Sequence, residues 1–120
     1  MNEKTREQVM KLCEVLDGKK AMDIKAIYVA DKTIIADWFI ICSGRVASQV
    51  KMLADELEDE AYKLGLETRR KEGYADGRWV VLDFANILVY IFLPEEREYY
   101  NMERLWAENP DECISFSTED

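Results

Sequence analysis

The sequence contains no histidine, and its 120 residues include only three cysteines and two prolines. The side chain that most often acts as a general acid or base near neutral pH is therefore missing. The sequence also has no CxxC motif, no GxxxxGK[ST] phosphate loop and no DxD or ExxE pair at a strand end. Asp31, Asp37 and Asp83 could bind a metal only if the fold brought three distant carboxylates together. We predict that the protein is not an enzyme and uses neither a metal nor a cofactor.

Long hydrophobic runs and a cysteine framework are lacking as well. The longest apolar runs, at 38–42 and 87–93, are far too short to span a membrane. The N-terminal segment carries Glu3 and Glu7 and has no apolar stretch of the kind found in secretory signals. An odd number of widely spaced cysteines favours reduced thiols; they are Cys13, Cys42 and Cys113. These features predict a cytoplasmic protein that does not use a membrane.

Positive charge is outnumbered, since 16 lysine and arginine residues stand against 25 acidic residues and the formal net charge is -9. Proteins that bind nucleic acid mainly through its phosphates need clustered lysine and arginine, so this function is disfavoured. The one basic triplet, at 69–71, lies between Glu67 and Glu72 and could at most touch a phosphate. A basic protein surface is a better match for an acidic chain.

The acidity is concentrated at the end of the chain. Residues 107–120 contain five acidic residues and no lysine or arginine, together with Pro110 and a Ser-Thr stretch. We therefore divide the chain into one folded domain at 1–106 and an acidic tail at 107–120. The alternative is that Ile114 and Phe116 dock onto the domain.

Hydrophobic periodicity predicts seven helices and strands. A capping box at Thr5 and Gln8 begins the first helix, and Gly65 ends the second. Ser43 is expected as the N-cap of the second helix rather than as part of an anion site. In chain order the elements are a helix ending at Gly18, strands at 23–30 and from about 35, a helix at 46–64, strands at 79–84 and 87–92, and a helix from Pro94 to about Trp106. A further short strand is expected around 66–70.

The last two strands are separated only by Ala85 and Asn86, the spacing of a tight hairpin. Pairing of Phe84 with Ile87 divides their side chains between two faces, although Ala85 suits this turn poorly and a shift by one residue is the alternative. The face expected in the core is entirely apolar: Val80, Leu82, Phe84, Ile87, Val89 and Ile91. The opposite face carries Trp79, Val81, Asp83, Leu88, Tyr90 and Phe92. Its aromatic side chains and carboxylate indicate either a docking face or a face covered by a helix of the same chain.

The final predicted helix offers a second group of contact candidates. It carries bulky hydrogen-bonding side chains over three turns: Arg97, Tyr99, Tyr100, Glu103, Arg104 and Trp106. Tyr99, Met102 and Trp106 fall on one helical stripe. Packing of that stripe against the sheet is therefore the alternative to contact with a partner.

Motifs in these segments make the sequence similar to the Iojap-like ribosomal silencing factor family from Thr5 to Trp106. Each motif alone is weak, but their order and spacing together are specific. In chain order they are ADWFIICSG at 36–44, QV at 49–50, AD at 54–55, EG at 72–73, WVVLD at 79–83 and REYYNMERLW at 97–106. The sequence departs from the family at Tyr90, where histidine is usual, at Ala85, where glycine is usual, and at Met102, where leucine is usual.

The resemblance implies an α/β fold of the mixed α+β kind. It would be a single domain with a mixed β-sheet flanked by helices, similar in topology to nucleotidyltransferases but without their active site. The implied partner is the large ribosomal subunit, contacted at large-subunit ribosomal protein fourteen, so that the small subunit cannot join and translation is repressed. Ribosomal RNA would be a peripheral contact, and the protein would form homodimers.

The resemblance also assigns the contact residues. Carried over by position, the family's contact surface comprises Trp79, Asp83, Arg97, Tyr99, Tyr100, Glu103 and Trp106. The hairpin face adds Tyr90 to this set. Two other functions remain open: a homodimeric interaction scaffold without ribosome binding, and a degenerate nucleotidyltransferase-like enzyme that retains nucleotide or metal chemistry.

Overall fold

A computed structural model describes residues 3–100 and 113–116 of the chain. The helices are α1 (Glu3–Gly18), α2 (Ala47–Lys63) and α3 (Pro94–Tyr100), and the strands are β1 (Met22–Tyr28), β2 (Trp38–Ser43), β3 (Arg70–Glu72), β4 (Trp79–Asp83), β5 (Ile87–Phe92) and β6 (Cys113–Phe116). The seven predicted elements occur in the predicted order, with α3 described as far as Tyr100. Within the described part of the chain, no helix is long and apolar enough to cross a membrane.

The six strands form one mixed sheet in the order β3-β4-β5-β2-β1-β6. The central neighbours β2 and β5 are parallel, and every other neighbouring pair is antiparallel. A parallel pair needs a long crossover, which α2, β3 and β4 provide between β2 and β5. The expected fold, a single domain with a mixed sheet flanked by helices, is confirmed.

Helix α1 forms because its apolar side chains recur on one stripe. Val9, Leu12 and Leu16 on that stripe are fully buried against the sheet and α2. The predicted capping box is wrong, because α1 begins at Glu3 and Thr5 lies buried inside the helix. The Gln8 side chain instead donates to the Leu64 carbonyl at 3.3 Å, which ties α1 to the end of α2.

Helix α2 differs from the prediction at its start and matches it at its end. The N-cap is Val46, which makes no side-chain cap bond, so the prediction of Ser43 as N-cap is wrong. Gln49 satisfies this end instead, since its Oε1 accepts from the Arg45 backbone N–H at 2.6 Å. At the other end, Gly65 has φ 81° and the Leu66 N–H donates to the Ala61 carbonyl at 2.8 Å. This is a Schellman motif, and it confirms Gly65 as the stop.

The two faces of the sheet are both apolar at their centre. The face toward α1 and α2 contributes buried residues from β1, β2, β4, β5 and the start of the hairpin turn: Ile24, Ala26, Trp38, Ile40, Cys42, Val80, Leu82, Phe84, Ile87, Val89 and Ile91. A second buried cluster lies on the opposite face: Ile27, Val29, Ala36, Phe39, Ile41, Leu88 and Phe92. Trp79 and Tyr90 pack at its margin and are only partly buried.

Part of the predicted acidic tail belongs to the sheet. β6 pairs antiparallel with β1, matching Ile24 with Phe116 and Ile27 with Cys113. The backbone of these four residues therefore follows the alternative, in which this segment docks onto the domain. The rest of 107–120 lies outside the described residues. The tail prediction weighed charge and Pro110, whereas strand pairing depends on the free edge of β1.

Candidate docking site

The β4–β5 hairpin has the register that the sequence predicts. Asp83 pairs with Leu88 and Trp79 with Phe92, and the Phe84 N–H donates to the Ile87 carbonyl at 2.9 Å. The predicted core face is confirmed, since all six of its side chains are buried. Trp79, Asp83 and Tyr90 therefore share the opposite face of the sheet.

An aromatic row runs across that opposite face from its buried centre to its margin. The rings of Phe39 and Tyr90 meet edge to face at 5.6 Å between centroids, and Tyr90 stacks on Phe92 at 6.2 Å. Trp79 continues the row, 6.3 Å from Phe92. Phe39 and Phe92 are buried, so the alternative in which the chain itself covers this face holds at its centre. Trp79 and Tyr90 stay partly exposed, and with Asp83 they form what we call the docking face.

Asp83 is held in a fixed orientation at the edge of the docking face. Its Oδ1 accepts from the Ala85 backbone N–H at 2.8 Å. Its Oδ2 lies 3.6 Å from Nε of Arg70, which stands directly across on β3. Arg70 also lies 3.3 Å from Glu72, measured from Nη1 to Oε2. Sequence analysis placed Arg70 only in a basic triplet and missed this contact, because the short strand was expected at 66–70 and its register could not be assigned.

Tyr90 presents a neutral phenol on the same face as Asp83. Burial raises the pKa of Tyr90, while the Arg70 guanidinium lowers it and the Asp83 carboxylate raises it further. The phenol therefore remains protonated at neutral pH and can donate or accept a hydrogen bond. Within the described residues nothing hydrogen-bonds to this hydroxyl. The docking face thus combines a rigid aromatic surface with one oriented carboxylate and one phenol.

Arg97 is 8% exposed, and hydrogen bonds within the protein hold its guanidinium. Its Nη1 donates to Oγ of Ser43 at 3.1 Å and to the Met22 carbonyl at 3.4 Å. These bonds fasten α3 to β1 and β2. Ser43 was predicted as a helix cap, but its hydroxyl oxygen instead accepts a hydrogen bond from the Arg97 guanidinium.

The remaining predicted contacts fall where side chains are not described. Tyr99 and Tyr100 end α3, and only their backbone is described. Glu103 and Trp106 lie outside the described residues. The assignment of these four residues as contacts stays a prediction.

Groups able to perform catalysis are scarce in the described ranges. Among residues 3–100 and 113–116, no group of three or more His, Cys, Asp or Glu side chains could hold a metal ion. Cys13 and Cys42 are free and buried. Burial raises the pKa of Cys42 to about 12, against the lowering effect of Arg97, and burial also raises the pKa of Cys13. Both thiols are therefore protonated and poor nucleophiles at neutral pH.

The hairpin turn supports a first prediction, the substitution Ala85→Gly. Ala85 has φ 77°, where a Cβ is disfavoured, and the Asn86 N–H donates across it to the Phe84 carbonyl at 3.1 Å. Glycine removes this strain but is more flexible when unfolded, so we expect a net gain of about 0.5–1 kcal/mol in unfolding free energy. Urea denaturation measures this gain. A loss of stability would mean that the turn is not strained.

Comparisons with known proteins agree with one another. A family model described as "Ribosomal silencing factor during starvation" matches residues 2–120. A Haemophilus influenzae protein named "Ribosomal silencing factor RsfS" is 42% identical over 96 residues, covering 80% of this chain and 94% of that protein. A protein of the same name from Halalkalibacterium halodurans is 41% identical over 95 residues, covering 79% and 81%. The crystal structure of a Chromobacterium violaceum protein gives a TM-score of 0.82 at 28% identity and covers 95% of this chain and 92% of that one.

Proposed function

The chain belongs to the ribosomal silencing factor family, and from this we propose that it binds the large ribosomal subunit, blocks joining of the small subunit and so represses translation. The observation that carries the proposal is the docking face. Trp79, Asp83 and Tyr90 are the partly exposed residues of β4 and β5, whose other residues are buried. Aromatic side chains with a polar group are enriched where proteins bind proteins.

The proposed contact on the large subunit is large-subunit ribosomal protein fourteen, a basic protein at the subunit interface. Charge supports this choice, because the chain has a net charge of -9 and the docking face holds an oriented carboxylate. Complementary charge speeds association and favours the correct partner over acidic ones. Ribosomal RNA would be touched only at the periphery, where Arg69 lies exposed beside β3.

The proposed mechanism is occlusion and requires no chemical step. A protein bound at the subunit interface prevents joining when its volume overlaps the position of the small subunit. The hairpin suits this task, because its two strands are fixed in the sheet and its aromatic row is already assembled before binding. Little conformational entropy is then lost on docking. The proposed site of action is the cytoplasm.

The proposal is tested by mixing the protein with isolated large subunits and then adding small subunits. We expect the protein to sediment with large subunits and to lower the yield of whole ribosomes in a sucrose gradient. Adding the protein after the subunits have joined is the order-of-addition control, and it should have a weaker effect. If the protein fails to sediment with large subunits at low salt, the proposal is wrong.

Self-association would compete with this function. We propose that the protein forms homodimers, as the family resemblance implies, and that the partly exposed Trp79 and Tyr90 lie in the dimer contact. Dimerisation through the docking face would then lower the fraction able to bind large subunits. Light scattering at increasing protein concentration, with and without large subunits, distinguishes two cases. A competing dimer dissociates when large subunits are added, whereas a scaffold that does not bind ribosomes stays dimeric.

A further inference from the structure

The two oxygens of the Asp83 carboxylate have different surroundings. Oδ1 accepts a short hydrogen bond from the Ala85 backbone N–H at 2.8 Å, which fixes the plane of the carboxylate. Oδ2 faces Arg70, whose Nε lies 3.6 Å away. That distance is too long for a good hydrogen bond, so this contact is a loose ion pair. The Asp83 side chain is 22% exposed and the Arg70 side chain 63% exposed, so a cation can approach Oδ2 from solvent.

We propose that Arg70 is an internal competitor for the docking face: its guanidinium occupies the position beside Asp83 Oδ2 that an arginine or lysine of the basic partner takes on binding. The inference rests on the proposed function and identifies the chemistry that the docking face recognises. In the free protein Arg70 neutralises Asp83. In the complex Arg70 moves aside, and a cation from the partner replaces it.

Displacing Arg70 costs little. Exposed ion pairs contribute little to stability because water screens the charges and the long side chain loses freedom when held. Arg70 also has a second carboxylate within reach, since Nη1 lies 3.3 Å from Glu72 Oε2. After displacement the guanidinium can stay beside Glu72 on the edge strand. The partner's cation gains more from Asp83 than Arg70 does, because docking removes water from the pair.

The position of Tyr90 supports the same exchange. Its phenol senses both charges, since Arg70 lowers its pKa and Asp83 raises it. Tyr90 and Asp83 share one face on neighbouring strands, so the phenol is a second group on that face that can accept a hydrogen bond from a partner. Both recognition groups lie on neighbouring strands that are already in place. Asp83 and Tyr90 can keep their positions when the partner binds. Only the Arg70 side chain has to move.

The substitution Arg70→Gln separates this competitor from an ordinary contact. We expect the variant to bind a basic partner about two- to fivefold more tightly, which is the range of one exposed ion pair. Lys19→Gln is the charge control, because Lys19 is 47% exposed, pairs with Glu56 at 3.9 Å and lies just after α1 on the other side of the sheet. The control removes the same charge and should change binding little at ~0.15 M salt, where screening acts over about 8 Å.

A double-mutant cycle with Asp83→Asn decides whether the tighter binding of Arg70→Gln depends on the Asp83 carboxylate. Asparagine keeps an oxygen that can accept from the Ala85 N–H but carries no charge, so Arg70 no longer has a carboxylate to pair with at this position. We expect Arg70→Gln to tighten binding in the native background and to have no effect in the Asp83→Asn background. A gain that persists without Asp83 would be a general charge effect and would overturn the inference.

Two partners are used so that the inference and the proposed function are tested separately. The first is a hexa-arginine peptide, followed by NMR at the Ala85 amide, which reports on Asp83 through their hydrogen bond. The second is the isolated large subunit, followed by sedimentation. We expect the same order of affinity with both: Arg70→Gln tightest, then the native protein and Lys19→Gln, then Asp83→Asn.

The outcomes are distinct. If Arg70→Gln binds hexa-arginine no better than the native protein, Arg70 is not a competitor, whatever the ribosome does. If the peptide order holds but no variant sediments with large subunits, the proposed function fails while the role of Arg70 stands. If Arg70→Gln binds the peptide more tightly but large subunits more weakly, Arg70 is itself a contact with the subunit, and the inference is wrong.

Discussion

Replacing Gly73 with alanine is expected to lower the unfolding free energy by about 2–4 kcal/mol, the largest loss of stability among these predictions. Gly73 has φ 81°, a conformation that costs alanine about 1–2 kcal/mol. A Cβ built there would also fall far inside van der Waals contact with the Trp79 carbonyl oxygen. Because that oxygen belongs to the backbone, β4 must shift to make room. The shift would move Trp79, so large-subunit binding should weaken together with stability.

The matched control for Gly73→Ala is Gly65→Ala. Gly65 has the same φ of 81°, but a Cβ there would meet nothing within 4 Å. Only the backbone penalty applies, so we expect a loss of about 1 kcal/mol and unchanged binding. Thermal unfolding followed by circular dichroism measures both variants. Equal losses at the two positions would mean that the contact with Trp79 contributes nothing.

Replacing Trp79 with alanine is expected to weaken large-subunit binding by roughly 30-fold, equivalent to about 2 kcal/mol. Trp79 ends the aromatic row, and it is the largest partly exposed side chain of the docking face. A large aromatic at the centre of an interface is a common energetic hot spot because a partner removes water from its whole ring. The fold should remain, since the Trp79 side chain lies at the margin of the second cluster.

Tyr62→Ala is the control for Trp79→Ala. Tyr62 is an aromatic residue of 84% exposure on α2, which packs on the face of the sheet opposite to the docking face. Its loss should leave both binding and stability unchanged. Sedimentation with large subunits gives the affinities, and circular dichroism checks folding. If Trp79→Ala binds as well as Tyr62→Ala, the docking face is not the contact surface; if it unfolds, Trp79 is a core residue.

Local patterns predicted the hairpin because strands and a short turn leave few alternatives. A two-residue turn fixes the register, and the period of two then assigns each side chain to a face. The strain at Ala85, noted as poor turn chemistry in the sequence, did not shift the register. The stop at Gly65 was predictable for the same reason, because a left-handed residue at a helix end is a local requirement.

Contacts between distant segments could not be predicted in this way. Ser43 has the composition of an N-cap, yet its hydroxyl accepts from Arg97, 54 positions further along the chain. Gln8 has the spacing of a capping box, yet its side chain reaches the end of α2. The contact of Arg70 with Asp83 was not predicted, because it depends on which residue of β4 lies opposite Arg70. In each case the partner lies on an element distant in the chain, and the sequence pattern does not determine how those elements pack.

The two outer strands of the sheet bear on whether separate chains can pair edge to edge. An open strand edge is a template for pairing between chains, and an exposed aromatic face adds to that hazard. β6 covers β1, whose Ile24, Ala26 and Ile27 would otherwise lie in an open strand. β3 forms the other edge with only three residues, Arg70–Glu72, all of them charged and exposed. The charged edge at β3 is therefore a poor template for pairing between chains, and the strand at the opposite edge, β6, offers only four residues.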